Sequence, residues 1–152
     1  MGKLTSGLAA GAVGTALLNT TTYLDMAVRG RPASSVPEDD VDRMLERAGL
    51  FLPGEGEALA ARRTGVAALL GFLTGFTGGV AYALVHPLLR RLPPWLRAAL
   101  VGLGTMAATD ASSAALGTTD PREWGAAGWA SDVVPHLVYG AGVVVAHDAL
   151  AG

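Results

Sequence analysis

Apolar residues lie along the chain in four long blocks instead of at the spacing of a one-sided helix or a strand. Leu4 to Leu24 and Thr64 to Leu89 hold no charged residue, Ala98 to Thr119 holds only Asp110, and Val133 to Ala146 is again charge-free. A helix that crosses a hydrocarbon layer of ~30 Å needs about 20 mainly apolar residues at ~1.5 Å rise each. The pattern predicts four membrane-spanning helices, over about 4–28, 64–89, 98–118 and 133–150, the last reaching full length only if His147, Asp148 and the residues after them continue it. The alternative, a soluble helical bundle, would carry Lys, Glu or Arg on the outer face of each helix, and these blocks carry almost none. The first block follows Lys3 and has the opening of a signal peptide, but its apolar run is longer than the ~7 to 15 residues of a signal core. It therefore reads as an uncleaved first span; cleavage would leave three.

Three connections remain: Arg29 to Arg63, Arg90 to Arg97, and Thr119 to Asp132. In the first, Ser35-Val36-Pro37-Glu38 has the form of a capping box, and Val41, Met44, Leu45 and Ala48 repeat at helical spacing opposite Asp39, Asp40, Asp42, Arg43 and Glu46. A short amphipathic helix over about 36–48 is expected, stopped by Gly49. It either covers the end of the bundle or presents Val41, Met44 and Leu45 to a protein partner; its acid-rich polar face argues against lipid headgroups. Asp120-Pro121-Arg122-Glu123 has similar start logic, which predicts an interfacial helix from Pro121 to Ala130. Asp132-Val133-Val134-Pro135 in turn reads as the N-cap of the fourth span.

Four spans put Lys3, Arg90, Arg91 and Arg97 on one side, and Arg29, Arg31, Arg43, Arg47, Arg62, Arg63 and Arg122 on the other. The excess of basic residues places the first and third loops in the cytoplasm of a plasma-membrane, multi-pass protein. Trp95, Trp124 and Trp129 fall near helix ends, where interfacial aromatics belong.

Composition agrees with this pattern. Of 152 residues 51% are hydrophobic and only 16% charged, well under the ~25% usual in soluble domains; mean hydropathy is +0.40. The formal net charge of -2 offers no basic excess for nucleic acid, and the absence of cysteine excludes disulfides and thiol chemistry. The 21 glycines are placed unevenly. Gly71, Gly75 and Gly79 form a row on the second span and Gly7 and Gly11 a shorter one on the first, surfaces for close helix packing within the bundle or in a homo-oligomer. Val13-Gly14-Thr15 resembles Leu103-Gly104-Thr105, and Gly79 with His86 resembles Gly140 with His147, a weak sign of two repeated helical hairpins sharing one orientation.

Ionisable residues at membrane depth are the first candidates for function. Asp110 is the clearest, and Asn19, His136 and Tyr139 lie at similar depth, so a polar cluster of the four is expected. It can relay protons or bind a small cation; it can equally fix the bundle's register through interhelical hydrogen bonds. Asp25 and Asp132 are secondary, Asp25 being one turn from Arg29 and placed to pair with it. His86 and His147 lie near helix ends on the same side and can share a metal or haem iron, although zinc wants a third or fourth ligand, for which only Asp148 is near in sequence. No hydrolase elbow, phosphate loop, dinucleotide fingerprint or HExxH is present, so the sequence supports no enzyme and demands no cofactor.

Asn19-Thr20-Thr21-Thr22-Tyr23-Leu24-Asp25, the following Arg-Gly-Arg-Pro-Ala-Ser-Ser, and Asp132-Val133-Val134-Pro135-His136-Leu137-Val138-Tyr139-Gly140 resemble segments of small uncharacterised four-span integral membrane proteins of actinobacteria. Ten Arg to one Lys is similar to the usage of high-GC genomes. The resemblance implies an all-α bundle and transfers no activity. The sequence thus points to a non-enzymatic accessory or interaction subunit in the lipid bilayer, with a small proton or cation transporter, and a haem- or metal-binding redox subunit, as alternatives.

Overall fold

The computed structural model describes residues 2–151, which form five α-helices and one short 3-10 turn with no strand among them. The helices are α1 (Lys3–Arg29), α2 (Val36–Ala48), α3 (Gly56–Leu89), α4 (Pro94–Leu116) and α5 (Ala126–Ala151). The protein is all-α, and the four long helices make an antiparallel bundle. Two of them, α3 and α5, are long and apolar enough to cross a membrane. The frequent Gly, Ala and Thr of α1 and Ala, Gly and Thr of α4 dilute their apolar character.

In the bundle, α1 packs on both α3 and α5, and α4 packs on α5, while α3 and α4 barely touch. Two hairpins with a common orientation, repeated about an axis, would match the extensive α1–α5 contact with an equal one between α3 and α4. That contact is slight, but the crossing inside each hairpin does repeat: a Cβ on Gly79 would meet the Gly7 carbonyl oxygen and Gly11, and one on Gly140 would meet the Ala98 carbonyl oxygen and Gly102.

Glycine makes the close crossings. A Cβ on Gly11 would stand 2.6 Å from the Gly75 carbonyl oxygen and 2.8 Å from Phe76 Cα, and one on Gly79 would strike the backbone of Gly7 and Gly11. Gly102 and Gly140 bring α4 and α5 together in the same way. Gly71 faces open space, so of the predicted row only Gly75 and Gly79 are used inside the bundle.

Small and polar residues fill the interior: Ser6, Ala10, Thr15, Ala67, Ala83 and Ser113 are buried, with Tyr82, Tyr139, Val143 and Val144 as the larger members. Leu4, Leu8, Leu17, Leu24, Leu69, Phe72, Leu73, Leu84, Leu100, Leu103, Leu137 and Val145 point outwards. This is the reverse of a soluble bundle, where the large aliphatic side chains would be inside.

Several boundaries differ from the sequence expectation. The helix expected over 64–89 starts at Gly56, because Glu57-Ala58-Leu59-Ala60-Ala61-Arg62-Arg63 are good helix formers with nothing to interrupt them. The interfacial helix expected from Pro121 to Ala130 is reduced to a 3-10 turn, Pro121–Glu123, in which the Asp120 carboxylate accepts the Arg122 N–H at 3.0 Å. After it α5 begins directly, so Asp132 is not an N-cap but lies inside the helix, with Pro135 internal too.

The amphipathic helix forms over the expected residues and ends at Gly49, whose φ of 67° suits glycine; the Leu50 N–H bonds back to the Leu45 carbonyl at 2.8 Å. The capping box does not form. Ser35 donates to the Asp39 carboxylate at 3.0 Å, and Glu38 accepts from Thr64 of α3 instead.

That second contact shows what α2 does: it lies across the ends of α3 and α4. Val41 is 1% exposed against its own chain. Arg63 pairs with Asp42 at 2.8 Å, Arg47 donates to the Ala115 carbonyl at 2.8 Å, and Ser113 and Thr118 both donate to Asp40. Val41 is therefore not a partner contact as the amphipathic pattern allowed, and Leu45 is half-buried; Met44 alone of the three stays exposed.

Candidate functional site

Polar side chains gather at the two ends of the bundle. At the end where α3 and α5 finish and α4 begins, helical spacing puts Tyr82 and His86 on one face of α3, and consecutive positions put His147 and Asp148 on α5. Pro94 at the start of α4 fixes the first turn, so that Arg97 lies within the helix and turns inwards. Arg97 is 7% exposed, and its guanidinium donates to both Asp148 oxygens, at 3.0 and 2.9 Å, and to the Tyr82 hydroxyl at 2.8 Å.

The two imidazoles meet beside this fork. The ring centres of His86 and His147 are 4.7 Å apart, and the Tyr82 ring stands edge-on to both, at 5.6 and 5.1 Å. His86 Nε2 is 3.7 Å and His147 Nδ1 is 3.8 Å from the same oxygen, Asp148 Oδ1. One ring nitrogen of each histidine and one carboxylate oxygen of Asp148 lie within 4.8 Å of one another. His147 Nδ1 and Arg97 Nε are buried without a hydrogen-bond partner among the described residues.

At the opposite end, Asp110 of α4 faces Asp132 and His136 of α5. His136 Nδ1 is 2.9 Å from the Asp132 carbonyl oxygen and 3.3 Å from its carboxylate. A carbonyl only accepts, so Nδ1 carries the proton. Asp132 Oδ2 is buried and has no hydrogen-bond partner among the described residues.

The expected cluster of Asn19, Asp110, His136 and Tyr139 is thus only partly assembled. Tyr139 turns away from His136 and donates to the Gly75 carbonyl of α3 at 2.7 Å. Asn19 is half-buried on α1. Asp132, ranked second in the sequence, takes the place beside Asp110 and His136.

Asp25 does pair with Arg29, at 2.6 Å, and also with Arg31 at 2.6 Å; Arg29 reaches Ser131 of α5 as well. The carboxylate raises the Arg29 guanidinium above its ordinary pKa, keeping it charged. Thr21, Asp25, Arg29, Ala130, Val134 and Pro135 line a shallow cleft between α1 and α5.

Sequence reasoning missed Tyr82 and Arg97. Tyr82 had a signal in its four-residue spacing from His86. Arg97 had one in Pro93-Pro94, which marks a helix start before it. Compared with known proteins, the chain matches no family model, no curated protein and no solved structure.

Proposed function

We propose that the chain is a four-span plasma-membrane protein with a binding or accessory role. The observation that carries the membrane reading is the outward display of Leu on all four long helices, joined by Val on α1, α3 and α5 and by Phe72 on α3, around an interior of glycine, alanine, serine and tyrosine. In water so many exposed large apolar side chains would be an interaction or aggregation surface. In lipid it is the ordinary lateral surface, and close glycine crossings supply the helix association that hydrophobicity cannot.

The accessory role is supported by how the polar interior is used. Tyr139 satisfies a backbone carbonyl, Arg97 and Asp148 hold each other, and Asp25 holds two arginines. Each ties one part of the fold to another, as a scaffold requires. Exposed Met44, Leu50 and Phe51 at the α2 end are the natural surface for a protein partner.

The cysteine-free sequence suits a direct test. Single cysteines at Phe51, Trp95 and Trp124 are labelled with a membrane-impermeant maleimide in intact cells and after lysis. Four spans require Phe51 and Trp124 to behave alike and Trp95 oppositely; labelling of all three in intact cells would overturn the topology. Co-purification with a partner that is lost on Phe51→Asp supports the accessory role, and a chain that purifies alone counts against it.

A second reading, passage of protons or small cations, is favoured by the unpartnered Asp132 oxygen beside Asp110 and His136. Proteoliposome flux abolished by Asp110→Asn and Asp132→Asn supports it, and flux no faster than in empty vesicles rejects it.

A further inference from the structure

We infer that His86, His147 and Asp148 form a binding site for a divalent transition metal, zinc being the ion that the donor set suits. The site is independent of the membrane reading, since it rests only on how the ends of α3 and α5 meet. Zinc bonds to imidazole nitrogen and carboxylate oxygen at about 2.0 to 2.2 Å, so the edges of its tetrahedron are roughly 3.3 Å long. Two edges already stand at 3.7 and 3.8 Å and share one vertex, Asp148 Oδ1. Side-chain rotations of a few tenths of an ångström close these edges, and a ring nitrogen of His86 and one of His147 lie within 4.8 Å of each other.

A second observation points to a ligand. His147 is 2% exposed, and its Nδ1 atom, 3.8 Å from Asp148 Oδ1, has no hydrogen-bond partner among the described residues. An unpaired ring nitrogen in such a place is costly, and a metal ion would satisfy it. The surroundings are those that hold ligands still. Tyr82 packs its ring against both imidazoles, and Arg97 fixes the carboxylate through two hydrogen bonds while each oxygen keeps a free lone pair. His86 is partly exposed and Asp148 is exposed, which gives the ion its way in.

The donor set also selects the ion. Two nitrogens disfavour calcium and magnesium, which take oxygen ligands, and suit zinc, nickel or copper. Three protein ligands leave one tetrahedral position for water or another small ligand.

The test uses the full-length chain without a histidine tag, purified in detergent and stripped with EDTA. Titration with Zn2+ is followed by calorimetry, and with Co2+ by visible absorption. One ion per chain is expected, with a rise in thermal midpoint and an intense four-coordinate cobalt spectrum. His86→Ala sits at a partly exposed position and leaves the fold intact by circular dichroism; it weakens zinc binding by about 100-fold or more, beyond what outer-shell partners contribute. His147→Gln, which preserves volume and polarity, does the same. Lack of saturable zinc binding by the wild type overturns the site, and so does equal binding by His86→Ala.

Discussion

The Arg97 guanidinium holds both carboxylate oxygens of Asp148, at 3.0 and 2.9 Å, and so locks the first turn of α4 to the last turn of α5. Breaking a buried pair by removing one member costs about 3–5 kcal/mol when the survivor stays buried. Asp148 is exposed enough to recover water, which lowers the expected loss for Arg97→Ala to roughly 2 kcal/mol, or about 4–8 °C in thermal midpoint. Asp148→Asn keeps one acceptor and loses less. The double variant measured against both singles gives a coupling of about 1–2 kcal/mol, and strict additivity would show that the two do not act as a pair.

How much of this was legible in the sequence depends on which property each residue expressed. Charge-free runs gave the four long helices, and the alternation of Val41, Met44 and Leu45 with acids gave α2. Helix starts were unevenly legible, because a proline can lie inside a helix as well as open one, and a start read correctly need not carry the side-chain bonds its motif suggests. Pro135 reads as a start and lies within α5, and Ser35-Glu38 reads as a capping box although both side chains bond elsewhere. Depth was legible, rotation was not. His136 and Tyr139 are three residues apart, yet one faces α4 and the other α3. Pro93-Pro94 marks a helix start ahead of Arg97, but the burial of that arginine has no local sign, since its partner is 51 residues away.

The placement of Val41 makes α2 a cover with a measurable opening. Truncating this side chain, 1% exposed, to alanine removes two buried carbons, about 1.5 kcal/mol. Amide exchange within α2 should then speed up about tenfold while the cores of α1 and α5 are unchanged, because the opening is local. Met44→Ala, on the exposed side, should leave exchange as it is. Equal effects of the two variants would mean that α2 does not dock through Val41.

Tyr139 offers a test of how much a single interhelical hydrogen bond is worth here. Its hydroxyl donates to the Gly75 carbonyl at 2.7 Å, and its ring packs against Gly14 of α1. Tyr139→Phe keeps the ring and should cost about 1 kcal/mol, within the range of such bonds between membrane helices. Tyr139→Ala removes the ring as well and should cost about 3–5 kcal/mol, as for large aromatic truncations. If the phenylalanine variant lost as much as alanine, the hydroxyl and not the packing would hold α5 in place; midpoints in detergent decide it.

The glycine crossings make the sharpest contrast, because chemically identical substitutions should differ by position alone. At Gly11 an added methyl group meets the α3 backbone, 2.6 Å from the Gly75 carbonyl oxygen and 2.8 Å from Phe76 Cα, and at Gly79 it meets the backbone of α1. Backbone cannot rotate aside as a side chain can, so α1 and α3 must separate and lose contact along their whole length. Overpacking of this kind costs about 1–3 kcal/mol. At Gly71, two row positions from Gly79, the same methyl group finds nothing within 4 Å. There, alanine gains about 0.5–1 kcal/mol of helix propensity and should leave stability equal or higher. Gly11→Ala and Gly79→Ala should therefore lower the thermal midpoint while Gly71→Ala does not. A uniform response of all three would mean that the glycines serve composition and not the α1–α3 crossing. If Gly71→Leu leaves the monomer's midpoint unchanged but abolishes a detergent-stable dimer, that outward glycine is the contact between copies.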